Sequence, residues 1–166
     1  MHPEIYHYLH MIEDLRHQVR EIIQDLPAEA LNWRPLPASD DHAMNSLAVM
    51  VAHILGAEHF WIAEVIDGRP PTRDRDREFR TRVDGPQPLL EQLDRVAAET
   101  RAILTTLPAE RLDETRQVQG RSVSVRWGIL HVIDHTALHL GHMQITYQLW
   151  AHGESKPMPR WFQRTP

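Results

Sequence analysis

At 166 residues, with 12 histidines and no cysteine, the chain has the length of one domain around a single core. Disulfides, zinc ribbons, thiol nucleophiles and dithiol redox centres are excluded together. A net charge of −5, with basic residues spread along the chain apart from one short run, argues against a nucleic-acid partner. The N-terminal stretch is charged throughout and no segment reads as a run of roughly 20 apolar residues, so a cytoplasmic protein with no membrane partner is expected.

Four long helical patterns follow one another. The first covers about His2 to Leu26, where Ile5, Leu9, Ile12, Leu15, Val19, Ile22 and Leu26 make one stripe and Leu26-Pro27 ends it. The second begins at the capping residues Asn45 and Ser46 and runs to Asp67, with Gly68 as its stop. It is apolar nearly all round, which marks the most buried helix. The third spans about Pro88 to Leu107, with Leu89, Leu93, Val96, Ile103 and Leu104 facing inward. The fourth runs from Ser124, a plausible cap, to His152, before Gly153.

This pattern predicts an all-α fold, a four-helix up-and-down bundle with long connecting loops. Residues 1–153 form the domain and 154–166 a tail on or beside it. In the second connection, RPPTRDRDREFRTR carries six arginines and three acids. Its signs interleave and no aromatic platform accompanies them, so it reads as a solvated loop. A weak alternation around Gln119-Gly120 suggests a hairpin-like turn.

The chemistry lies in the fourth helix, where His131, His135, His139 and His142 fall within an arc of about 80°. Buried imidazoles need partners: a hydrogen-bond network, a ligand or a transition metal. His135 and His139, at i and i+4, can aim at one point. A third donor is available in His53, on an apolar face of the second helix with Val49, Met50, Ala57 and Phe60, whereas His59 lies well over 90° around that helix. Three imidazoles with open positions match a catalytic metal site rather than a closed structural one. His131 and His142 can each serve as an outer-shell partner, a proton shuttle or a fourth ligand. His2, His7, His10, His17, His42 and His152 read as surface residues. A ferritin-like di-iron bundle requires repeated Glu-x-x-His pairs, and Glu4 with His7 is the single copy.

Three stretches, LPAEALNWRP at 26–35, NSLAVMVAHILGAEHFW at 45–61 and HTALHLGHM at 135–143, resemble the DinB-like superfamily, which includes YfiT-like and mycothiol- or bacillithiol-dependent proteins. With helix order and spacing, the resemblance spans nearly the whole chain. It implies that His53, His135 and His139 hold a divalent ion, zinc or nickel ahead of iron or manganese, and that the protein acts on a small-molecule substrate, in a family whose members are often dimeric. A homodimer is expected from the fourth helix as well, where a second apolar stripe, Ile129, Ile133, Leu140 and Tyr147, lies roughly opposite the histidines and would be covered by a partner chain. The resemblance further implies a metal-dependent enzyme transferring or using a low-molecular-weight thiol. The alternatives are a metal-assisted hydrolase and a non-catalytic, stress-associated metal-binding dimer. The chain departs from the family pattern at His142, where Gln is usual, and this gives His142 a possible role in proton transfer.

Overall fold

The structure is a computed structural model that describes residues 1–36 and 44–156. The readings made for His42 and residues 157–166 of the tail lie outside these residues. Helix α1 spans Pro3–Ile23, opening on Pro3 with the His2 side chain accepting a hydrogen bond from the Glu4 amide. A short α2, Ala28–Asn32, comes next. Helix α3, Leu47–His59, is capped by Ser46, whose hydroxyl accepts from Val49 N at 3.3 Å. It runs on as a π-helical stretch, Phe60–Ile66, in which Asp67 N donates to Ile62 O, five residues back. After α4, Arg75–Glu78, and α5, Gln87–Thr106, a 3-10 turn at Ala109–Asp113 leads into a hairpin.

The hairpin pairs β1, Thr115–Val118, with β2, Arg121–Ser124, antiparallel. Gln119 and Gly120 both take positive φ, 49° and 77°, the backbone a two-residue turn needs to match strand twist. Helix α6, Val125–Trp150, then starts at Ser124, whose hydroxyl accepts from Trp127 N. The chain is therefore mostly helical, with a small two-stranded sheet beyond the all-α expectation.

Helix α1 packs on α5 and α6, and α3 packs on the same two. Contrary to the sequence reading of membrane segments, Leu47–Ile66 is long and apolar enough, by length and composition, to cross a membrane. In the fold its side chains are spent on the protein's own core: Leu47, Val51, Ile54, Leu55, Ile62 and Ile66 are all at most 2% exposed.

The core is divided in two. One apolar cluster gathers Val19, Ile22, Leu55, Leu93 and Leu140; the other gathers Ile5, Ile12, Ile62, Leu104 and Ile129. Between these levels in the sequence of every long helix lies a buried polar residue: Arg16 on α1, Glu58 on α3, Thr100 on α5 and Thr136 on α6. Arg16 Nη1 and Thr100 Oγ1 both donate to Glu58 Oε1. Burial pushes the Glu58 carboxyl above its usual range, and the guanidinium and hydroxyl offset only part of that.

Ile129, Ile133 and Leu140, read from the sequence as part of an outward stripe for a partner chain, are buried in this core. The stripe is apolar because it faces α1 and α3, not because it meets a second copy. The exposed apolar residues of α6 are Trp127, Leu130, Leu138, Ile145 and Leu149.

Arg16→Ala leaves a buried carboxylate without its counter-charge and should cost about 3–5 kcal/mol in chemical denaturation. Replacing Arg16 and Glu58 together by methionine should cost much less, because no stranded charge remains. Equal losses for the single and double variants would contradict this account.

Candidate metal centre

Helix α3 is apolar on every side, so the ring of His53 occupies a position that would otherwise hold a core hydrocarbon. It faces α6, where His135 and His139 follow one another by a single turn. His53 Nε2 lies 3.2 Å from His135 Nε2. The ring centroids of His53 and His139 are 5.1 Å apart, and those of His135 and His139 4.6 Å. One ring nitrogen from each of the three lies within 4.8 Å of the others. The set chosen from the sequence is thus brought together across two helices.

The donor chemistry fits a transition cation. His139 Nδ1 is buried and, among the described residues, has no hydrogen-bond partner, a cost that ligand binding at this cluster can relieve. Burial, reinforced by neighbouring imidazoles, pushes His135 down to about 3, and burial with His53 and His142 pushes His139 down to about 4. Both rings are therefore neutral near pH 7 and offer lone pairs without first losing a proton. With no cysteine in the chain, such a site is all nitrogen, a donor type that suits zinc and nickel among other metals.

The remaining histidines separate by position. His131 stacks on Trp127, with centroids 4.8 Å apart and planes 6° from parallel, and meets Trp61 edge-on; it is not in the converging set. His142 is exposed, with its ring 5.5 Å from that of His139. His59 points elsewhere, as its helical angle requires, to Glu99 at 2.6 Å and Thr72 at 2.8 Å. His2, His7, His17 and His152 are exposed and His10 half-buried.

Two residues of the site lie in the charged run read as a solvated loop. Arg75, Arg77, Arg80 and Arg82 are exposed as expected, but Glu78 is 7% exposed. Glu78 Oε2 is 2.9 Å from His53 Nδ1, and Arg73 grips the same carboxylate through Nε at 2.6 Å and Nη2 at 2.8 Å. Burial pushes the Glu78 carboxyl upward, yet hydrogen bonds from Arg73 and His53 outweigh it and hold the pKa below the usual carboxylate range. The available sequence signal was Phe79, an aromatic inside a charged run. Its ring packs 4.9 Å from that of His53 and fastens the segment to the core.

Two cavities flank the site. One of about 420 Å³ is lined by His139 and His142 with Met44, Met50, Ile145 and Thr146. The other, about 610 Å³, lies beyond Glu78 between α3, α5 and the arginine-rich segment, and none of the three converging histidines lines it.

Comparison with known proteins agrees with this architecture. Residues 7–150 match the family description mycothiol-S-transferase. YkkA of Bacillus subtilis is 24% identical over 123 residues, which cover 68% of this chain and 70% of YkkA. Among solved structures, a conserved protein from Enterococcus faecalis superposes with a TM-score of 0.72 at 14% identity, covering 92% of this chain and 99% of the other. A DinB-like protein, YjoA of Bacillus subtilis, superposes with a TM-score of 0.59 at 21% identity, over 92% and 94%.

The depressed histidine pKa values give the metal-free protein a pH dependence. Unfolded imidazoles take up protons below about 6.5, while folded His135 and His139 stay neutral until about 3 and 4. The unfolded state then binds more protons, so stability falls as pH is lowered from 6.5 towards 4. Urea titrations in chelator between pH 7 and 4.5, above most carboxylate titration, should show this slope. His135→Gln should flatten it, and an unchanged slope would refute the assignment.

Proposed function

Since this chain belongs to the mycothiol-S-transferase family, of DinB-like type, we propose that it is a divalent-metal-dependent transferase that joins a low-molecular-weight thiol to a small electrophile. The observation that carries the reading is the meeting of His53, His135 and His139 in one cluster with an orphaned buried nitrogen. Zinc or nickel is the ion this donor set suits. Held there, a divalent ion supplies positive charge that favours the thiolate form of a bound thiol at neutral pH.

The protein's own groups do the rest. His53, His135 and His139 would hold the ion through nitrogen alone, and His135 and His139, neutral near pH 7, bring no charge of their own to it. The cavity of about 420 Å³ beside His139 is walled by Met44, Met50 and Ile145, which suits the apolar body of an electrophile and sheds water from it. His142 opens on the same cavity and can take up the thiol proton through an imidazole nitrogen. Sulfur then forms its bond to the electrophilic carbon, the bond to the leaving group breaks, and that group departs with the electron pair.

In this reading the site also lies beside a subunit interface. Leu130, Leu138, Ile145 and Leu149 are exposed on α6, and Ile145 lines the cavity as well. We therefore assign the homodimer contact to this outer face of α6, instead of the buried stripe.

The test is direct. Protein loaded with zinc or nickel should conjugate mycothiol or a simple thiol to an aryl halide or epoxide, and alanine at His53, His135 or His139 should reduce both metal content and turnover sharply. Full stoichiometric metal in all three variants would sink the assignment. His142→Gln should keep the metal and change the pH–rate profile; loss of the metal would make His142 a ligand instead.

Light scattering at micromolar concentration should give twice the chain mass, and Leu138→Glu with Ile145→Glu should halve it. A wild-type monomer would exclude the interface.

A further inference from the structure

We infer that Glu78 is a positioning residue for His53, holding its ring with Nε2 unprotonated and facing His135, and that Gly56 is a glycine so that Glu78 can reach it. The inference rests on the reading of His53, His135 and His139 as cation ligands.

The neighbours of His53 decide where its proton sits. Its Nδ1 lies 2.9 Å from Glu78 Oε2, and this carboxylate, both of whose oxygens accept from the Arg73 guanidinium, accepts from the imidazole as well. The hydrogen must therefore sit on Nδ1. Arg73 Nη2 is 3.5 Å from the same nitrogen, but a guanidinium has only protons to offer, and it spends them at shorter distance on Glu78. With Nδ1 protonated, a neutral ring keeps its lone pair on Nε2, the nitrogen 3.2 Å from His135 Nε2. Carboxylates behind metal-bound imidazoles act in this way, selecting the tautomer and raising ligand basicity.

Space around the carboxylate is equally restricted. Gly56 lies within α3, three residues beyond His53, in a helix interior where glycine is less stable than alanine. A Cβ built on it would stand 2.0 Å from Glu78 Oε1 and 2.6 Å from Cδ. The carboxylate thus fills the volume that any side chain would occupy, against the helix that carries its imidazole.

The carboxylate is itself held in place. Arg73 grips both of its oxygens through two donors, the rigid forked geometry that planar guanidinium provides. The Arg73 backbone is tethered in turn, its amide donating to Glu64 Oε1 at 2.8 Å. Glu64 belongs to the π-helical continuation of α3. One continuous helix therefore supplies the candidate ligand His53, the gap at Gly56 and the anchor for the segment that bears Glu78.

The test uses the full chain and zinc as the probe. Glu78→Gln removes the acceptor, and Gly56→Ala expels the carboxylate without touching it. Each should weaken zinc binding about 10- to 100-fold while saturating zinc still fills one site per chain. The double variant should be no weaker than Glu78→Gln alone, since both act through one contact. Nitrogen NMR of the metal-free protein should show His53 as the Nδ1–H tautomer in the wild type and a mixture in both variants. This readout is independent of zinc, so it still decides the role of Glu78 if the wild type binds no metal and the transferase reading fails. Asp76→Asn, an exposed change in the same segment, should alter neither. Unchanged affinity and unchanged tautomer in Glu78→Gln would overturn the inference, even if the variant melted earlier. Should Gly56→Ala fail to fold, the Glu78→Gln measurements carry the test alone.

Discussion

One fully enclosed carboxylate sets the register of this protein. Glu58 takes hydrogen bonds from Arg16 on α1 and Thr100 on α5, which satisfy it at a depth where the surroundings are otherwise apolar. Apolar side chains alone tolerate sliding, because one leucine surface resembles the next; a buried charge does not, since any helix displaced by a turn leaves it stranded. The candidate site depends on this fixed level. His53 precedes Glu58 by five residues on α3, and His135 adjoins Thr136, one of two buried polar residues of α6. Glu58 fixes α3, which carries His53, against α1 and α5, and α1 packs in turn on α6, which carries His135 and His139.

The sequence made the helices legible and the polar level only half so. Stripes such as Ile5, Leu9 and Ile12 announce α1 through their period, and Ser46 and Ser124 announce where α3 and α6 begin. The i,i+4 pair His135 and His139 is equally plain, because spacing within one helix is a property of sequence. Glu58 and Arg16 were invisible, since charged residues on a helix normally point to water and only packing reveals otherwise. Glu78 was harder still. Its role depends on how a proline-bearing segment folds back across α3, and no periodicity encodes that path. The α6 stripe shows the opposite error, as a helix packed on two neighbours carries apolar residues over so wide an arc that its outer edge cannot be told from an interface.

Identities of 14% and 21% accompany the same fold in the solved relatives. Such divergence is what apolar periodicity allows, because many hydrocarbon sets fill a core of given shape. Polar positions have less freedom. A substitution at Arg16 or Glu58 requires a matching change elsewhere, whereas Leu93 or Val96 can be exchanged for neighbours of similar volume.

The π-helical stretch after His59 has a consequence for charge. In an unbroken α-helix Glu64, eleven residues beyond His53, would return to within about 20° of the same face and bring a second carboxylate towards the imidazoles. A π turn takes in one more residue and sets the later residues of the helix back by roughly 100°. Glu64 is thereby turned aside to receive the Thr72 and Arg73 amides. The winding of the helix thus leaves Glu78, paired with Arg73, as the carboxylate that meets His53, and commits Glu64 to anchoring the segment that carries it.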